Sequence, residues 1–196
     1  MRHTRTYTPG KPGSIIFFLL AASLLTTSCA GKQAPEARHS ESDKAISSDF
    51  SLKDVNGNSE SLSTYLGDKV VLISFWTSYC EPCQREMEVL SSLYNRYMGS
   101  GLVVLSIAID DSETVAQARM RVQTSEYPFH ILFDGAGEQT TALNPRLTTP
   151  HTLIIGRNRR IVWDHEGFVP GDAQAMELAV VKALATTVSK NEKAEP

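Results

Sequence analysis

Two cysteines separated by two residues are the part of this 196-residue chain that is best suited to chemistry. They lie in Cys80-Glu81-Pro82-Cys83, after an apolar run of strand length and at the start of a helical pattern. A thiol at a helix N-terminus meets unpaired backbone N–H groups and the helix dipole, which both favour the thiolate. Because the thiolate attacks in disulfide exchange, the spacing predicts a reversible disulfide, with Cys80 as nucleophile and Cys83 as resolving thiol.

Two other uses of this cysteine pair are weighed against exchange. A structural zinc site normally has four ligands, and the sequence contains no second cysteine pair, so no metal is expected. A purely structural disulfide with a two-residue loop constrains the unfolded chain little, so it would add little stability. The sequence therefore favours a redox-active disulfide that needs no other cofactor.

The elements around this pair alternate between strand and helix patterns. Apolar runs at 69–76 and 102–109 have the length and composition of buried strands. Apolar residues spaced by three and four predict a helix that starts near Cys80 and ends at Gly99. Further strands are predicted at 50–55, 129–133, 152–155 and 161–163, and further helices at 113–124 and 173–188. This order predicts an α/β fold with a mixed central sheet and helices on both faces.

The motifs together resemble the TlpA/ResA-like group of thioredoxin-fold thiol–disulfide oxidoreductases. The resemblance rests on three segments, which are the stretch 75–86 around the two cysteines, Phe-x-Leu-x-Asp-x-x-Gly at 50–57, and Thr-Thr-Pro-His-Thr-Leu-Ile-Ile at 148–155. It implies a thioredoxin-like fold over 49–189. It also implies that Pro150 is a cis-proline facing the disulfide, that the Thr149 backbone pairs with a substrate peptide, and that Trp76 is the active-site aromatic residue that contacts substrate. Core packing is the alternative for Trp76, and a trans proline is the alternative for Pro150.

Glu86 is the candidate proton acceptor. Thioredoxins proper carry a buried Asp six residues before the first cysteine, where this chain has Ser74. A hydroxyl cannot accept a proton near neutral pH. Glu86 lies one helical turn after Cys83 and matches an acidic residue of the ResA-like group, so we expect it to handle the Cys83 proton. The alternative is an ordinary exposed helix carboxylate.

Two other function classes remain open at this point. Thr77 stands three residues before Cys80, as in a thiol peroxidase of the peroxiredoxin type, but Ile73 replaces the proline expected seven residues before the cysteine. A copper-binding carrier could use the two cysteines with His130 or His151. His151 directly follows Pro150, so it could alternatively lie near the disulfide or on the rim of the site.

The first 48 residues predict export and membrane attachment. Residues 1–28 combine a basic start with a short apolar run, which is typical of a signal peptide. Cys29 follows in a context that resembles a bacterial lipobox, so it is the expected lipidation site, with simple cleavage and a soluble periplasmic protein as the alternative. Residues 29–48 read as a flexible tether and residues 190–196 as a polar tail.

The expected partners follow from charge, compartment and resemblance. A net charge of −3 is too small and of the wrong sign for electrostatic binding to nucleic acid. The expected substrates are protein thiols and disulfides, and the expected membrane contact is through Cys29. The Glu-Pro dipeptide between the cysteines resembles the reducing members of the group, which are often tied to cytochrome c maturation. A reducing member requires a membrane-bound electron donor, and the outer membrane is weakly preferred over the inner one.

Overall fold

Seven strands form one mixed sheet in the computed structural model, which describes residues 44–186. The strands are β1 (Ser51–Asp54), β2 (Ser59–Ser61), β3 (Val70–Trp76), β4 (Leu102–Ala108), β5 (His130–Phe133), β6 (His151–Ile155) and β7 (Ile161–Glu166). The helices are α1 (Glu81–Tyr97), α2 (Val115–Thr124) and α3 (Asp172–Ala185). All elements predicted from the sequence within 44–186 are present, and β2 is an additional strand that has no apolar pattern to reveal it.

The strand order is β2-β1-β5-β4-β3-β6-β7. Strands β3, β4 and β5 are parallel, so their carboxyl ends meet at one edge of the sheet. Strand β6 runs antiparallel to β3, with Phe75 opposite His151. This register brings the start of β6 beside the end of β3, where the chain continues to the cysteine pair.

The two faces of the sheet are covered differently. All three helices contribute buried residues to one cluster, for example Leu90 of α1, Ala118 of α2 and Val180 of α3. The cluster on the other face contains strand residues together with Leu62 and Leu143, which lie in a 3-10 helix and a turn. The predicted mixed sheet with helical cover is therefore confirmed, with the three α-helices on one face and a short 3-10 helix on the other. Because β3, β4 and β5 succeed one another in one direction across the sheet, right-handed crossovers place α1 and α2 on the same side.

Backbone pairing begins before residue 49, the expected start of the domain. Ile46 N donates to Arg159 O at 2.9 Å, and Ile161 N donates to Lys44 O at 3.0 Å. Residues 44–46, within the predicted tether, thus pair with the end of the β6–β7 turn and the first residue of β7. The predicted signal peptide (1–28), the predicted lipidation site Cys29 and the predicted polar tail (190–196) lie outside the described residues. Within 44–186, no helix combines the length and apolar character needed to cross a bilayer.

Candidate active site

The two cysteines form a disulfide at the start of α1. Cys80 is the N-cap residue of the helix, and its Sγ accepts a hydrogen bond from Cys83 N at 3.2 Å. Cys80 is 7% exposed and Cys83 only 1% exposed, so the first cysteine is the more accessible to a partner. The backbone N–H at Cys80 Sγ is the kind of group that would stabilise a thiolate there after reduction.

The turn that precedes Cys80 is held by a buried carboxylate. Ser78 N donates to both carboxylate oxygens of Asp110, at 3.1 and 3.0 Å, and Ser78 Oγ donates to the same group. Arg121 Nη2 donates to Ser78 O at 3.3 Å. Asp110 is 1% exposed and follows β4, next to the end of β3. Sequence reasoning did not identify Asp110, although an acidic residue directly after a buried parallel strand was the available signal.

Glu86 lies inside the protein, one helical turn after Cys83. Its side chain is 1% exposed, and it accepts hydrogen bonds from Ser74 Oγ at 2.7 Å and Thr152 Oγ1 at 2.6 Å. Burial raises the pKa of Glu86 to about 7, the two hydroxyl donors oppose that rise, and the Asp172 charge adds to it. The alternative of an exposed helix carboxylate is therefore excluded. A carboxyl group of this kind can both release and accept a proton near neutral pH.

Pro150 and the loop before it lie at the same edge of the sheet. The Thr149–Pro150 peptide bond is cis, as the resemblance implied. Gly167 N donates to Pro150 O at 2.8 Å. Asn144 fixes the preceding loop, since its Nδ2 donates to Thr148 O at 2.9 Å and its Oδ1 accepts from Thr148 N at 3.0 Å. This side-chain clamp is a second feature that sequence reasoning missed.

Trp76 ends β3 and is 2% exposed. It belongs to the same apolar cluster as Cys80 and Cys83, and its Nε1 has no hydrogen-bond partner among the described residues. Trp76 therefore belongs to the apolar core that also holds the disulfide. Thr149 is half-buried at the same edge of the sheet. The predicted contacts of Trp76 and Thr149 with substrate remain predictions.

The two histidines considered as metal ligands are engaged elsewhere. His151 is buried on the other face of the sheet, stacked on Phe75, with its Nε2 2.9 Å from Asp164 Oδ1. The His130 ring lies 3.7 Å from Glu60. Within residues 44–186, no group of three or more His, Cys, Asp or Glu side chains is arranged to hold a metal ion. The structure therefore gives no support to the copper-carrier alternative, and His151 is not a rim residue.

The sequence and fold of this chain are similar to those of known thiol–disulfide oxidoreductases. Among curated proteins, the thiol-disulfide oxidoreductase ResA of Bacillus thuringiensis subsp. konkukian is 28% identical over 120 residues, which cover 60% of this chain and 66% of that protein. The chain thus matches slightly less than two thirds of the length of this relative. A structure from Chlorobium tepidum, described as a thiol:disulfide interchange protein DsbE, shares 29% identity and a TM-score of 0.64, covering 74% of this chain and 98% of that one.

A third similarity is to an exposed lipoprotein thioredoxin, Etrx1, of Streptococcus pneumoniae, with 25% identity and a TM-score of 0.56 over 67% of this chain and 98% of that one. These similarities confirm the predicted thioredoxin-like fold and the likeness to the ResA-like group, and the names of the relatives support the predicted enzyme class. Residues 43–164 match the AhpC/TSA family model. Since that match covers more than half of the sequence, the chain belongs to the AhpC/TSA family.

Proposed function

We propose that this chain is an exported thiol–disulfide oxidoreductase that reduces disulfides in other proteins. One observation carries the proposal, namely that Cys80 caps helix α1, with a buried carboxyl group, Glu86, one turn after its partner Cys83. A stabilised thiolate, a second thiol and a nearby proton acceptor are the groups that such an exchange requires. No cofactor beyond this disulfide is needed.

The exchange proceeds in two steps. In the reduced chain, the Cys80 thiolate attacks one sulfur of a substrate disulfide, which forms a mixed disulfide and releases the first substrate thiolate. Glu86 then takes the proton of Cys83, and the Cys83 thiolate attacks Cys80 Sγ. This attack forms the Cys80–Cys83 disulfide and releases the second substrate thiolate, and both substrate thiolates take up protons. The substrate gains two electrons and the dithiol loses two.

The surface around the disulfide supports a protein substrate. Tyr79, next to Cys80, is 69% exposed. Val169 is 60% exposed and lies two residues after Gly167, whose N–H donates to Pro150 O. Exposed apolar side chains beside a reactive group are suited to contact with another polypeptide. An extended substrate segment would pair with the Thr149 backbone, as in the addition of a strand to a sheet edge.

Location and electron source belong to the same proposal. The signal-like residues 1–28 and the lipobox-like context of Cys29 support export and lipid attachment, and the lipoprotein relative from Streptococcus pneumoniae is consistent with both. A reductase in an oxidising compartment requires electrons, which we assign to a membrane-bound donor. Cytochrome c maturation and general periplasmic thiol homeostasis are the two processes in which such an activity would serve.

Insulin reduction by the purified chain, with dithiothreitol as electron source, tests the activity. We expect Cys80→Ser to abolish reduction, and Cys83→Ser to form a stable mixed disulfide with the substrate through Cys80. Titration of the pair in thiol–disulfide buffers should give a potential nearer to about −270 mV than to about −120 mV. A Cys80→Ser chain that still reduces insulin would contradict the proposal. Rapid hydrogen peroxide consumption that needs Cys80 but not Cys83 would favour the peroxidase alternative.

A further inference from the structure

A largely buried histidine–carboxylate pair joins β7 to α3. His165 Nε2 is 3.2 Å from Asp172 Oδ2, and the two side chains are 13% and 8% exposed. Asp172 Oδ2 also accepts a hydrogen bond from Val169 N at 2.7 Å, which fixes the carboxylate at the start of α3. The Trp163 ring stacks on the His165 ring with the centroids 5.1 Å apart. Both groups are therefore held in place, and the exchange steps above make no use of them.

The sheet register brings this pair close to Glu86. Thr152 of β6 lies directly opposite His165 of β7, so the two side chains project from the same face of the sheet with Cβ atoms about 5 Å apart. Thr152 Oγ1 donates to Glu86 at 2.6 Å. Asp172 is near enough for its charge to raise the pKa of Glu86. Thr152 and Asp172 thus connect the pair to Glu86, the first through the sheet register and the second through its charge.

Groups on five elements of residues 44–186 bear on the surroundings of Glu86. Strands β3 and β6 present the hydroxyls of Ser74 and Thr152 to it, and helix α1 carries the two cysteines one turn and two turns before it. Strand β7 presents His165 and helix α3 presents Asp172. Asp172 is the charged group that acts on Glu86, and His165 is the ionisable group paired with Asp172, whereas the disulfide-bonded cysteines do not titrate.

We propose that His165 and Asp172 are positioning residues that set the proton affinity of Glu86. The negative charge of Asp172 favours the protonated form of Glu86, and a proton on His165 offsets that charge and favours ionised Glu86. The pair thereby controls whether Glu86 is ready to accept the Cys83 proton. This role in exchange rests on the proposed function, whereas the electrostatic coupling itself does not.

The test follows the ionisation of Glu86 directly, by NMR of its carboxyl carbon in the full oxidised chain across a pH series. Asp172→Asn removes the charge and keeps an oxygen that can accept from Val169 N, so we expect the Glu86 midpoint to fall, by up to roughly one pH unit. His165→Gln removes the side chain that can carry a positive charge beside Asp172, so we expect the midpoint to rise. Where Asp172→Asn does not fold, Asp172→Ser also removes the charge and retains a side-chain oxygen, and it has the same expected direction.

The opposite directions separate this role from a purely structural one. Looser packing would admit water to Glu86 and lower the midpoint in both variants, so shifts of the same sign would overturn the proposal. An unchanged midpoint in either variant would also overturn it. Asp164→Asn is the matched control, since Asp164 pairs with His151 on the other face of the same strands and should leave the midpoint unmoved. Insulin reduction tests the oxidoreductase activity separately, because the NMR midpoint is measured without any substrate.

Discussion

Replacing Glu86 by Gln should remove a loss of stability that the wild-type chain suffers as pH rises. The pKa of Glu86 is about 7 in the folded chain against an ordinary value of 4.5, because burial disfavours the ionised form. The folded state therefore binds this proton more tightly than the unfolded state does. The resulting stability is fully present below about pH 4.5 and is lost as pH rises through about 7. The gap corresponds to roughly 3 kcal/mol.

Denaturant unfolding of the oxidised chains between pH 4.5 and about pH 8.5 measures this effect. We expect the unfolding free energy of the wild type to fall by roughly 3 kcal/mol relative to Glu86→Gln across that range. A constant offset between the two curves would reflect the altered hydrogen bonds with Ser74 and Thr152, so the test lies in the slope alone. Glu88→Gln, an exposed position on the same helix, should run parallel to the wild type. Parallel curves for wild type and Glu86→Gln would refute the reasoning.

Two further predictions concern the loops that hold the site. Asp110→Ala leaves the buried N–H and hydroxyl of Ser78 without their acceptor, so we expect a loss of about 1–3 kcal/mol in unfolding free energy and slower insulin reduction. Asp110→Asn should lose less unfolding free energy. Equal stability of Asp110→Ala and the wild type in denaturant would contradict this prediction. Asn144→Ala removes both hydrogen bonds to the Thr148 backbone, so we expect the unfolding free energy to fall by about 1–3 kcal/mol. Hydrogen exchange at the Thr148 amide should become faster. Unchanged exchange would show that the Asn144 side chain does not hold the loop.

The sequence predicted the elements whose patterns are local. The apolar runs of β3 and β4 and the periodicity of α1 are set by residues close in the chain, so their positions were recognisable. The same holds for the cysteine pair at the start of α1. The strand β2, only three residues long with the sequence Ser-Glu-Ser, carries no such pattern and forms because it pairs with β1. Short polar strands are defined by tertiary contact and not by their own composition.

The environment of the site residues could not be predicted in the same way. Glu86 meets Thr152, which is 66 positions away in the chain, only because β6 lies beside β3 in the sheet. The sequence indicated Glu86 through its spacing from Cys83, but spacing cannot tell a buried carboxylate from an exposed one. Asp110 reaches the turn before Cys80 through a similar long-range contact. The identity of the reactive groups was therefore local information, and the chemistry of their surroundings was not.

The partners of Glu86 explain how a buried carboxyl group can change its protonation state. A hydroxyl can donate to an ionised carboxylate, and after rotation it can accept from a protonated carboxylic acid. Ser74 and Thr152 can therefore satisfy Glu86 in both states, and neither state leaves an unpaired buried polar atom. An Asp at position 74 would instead place two carboxylates in contact, which disfavours ionisation of both. Ser74 is thus not a missing proton acceptor but the hydroxyl that allows a carboxyl group from α1 to act from this position.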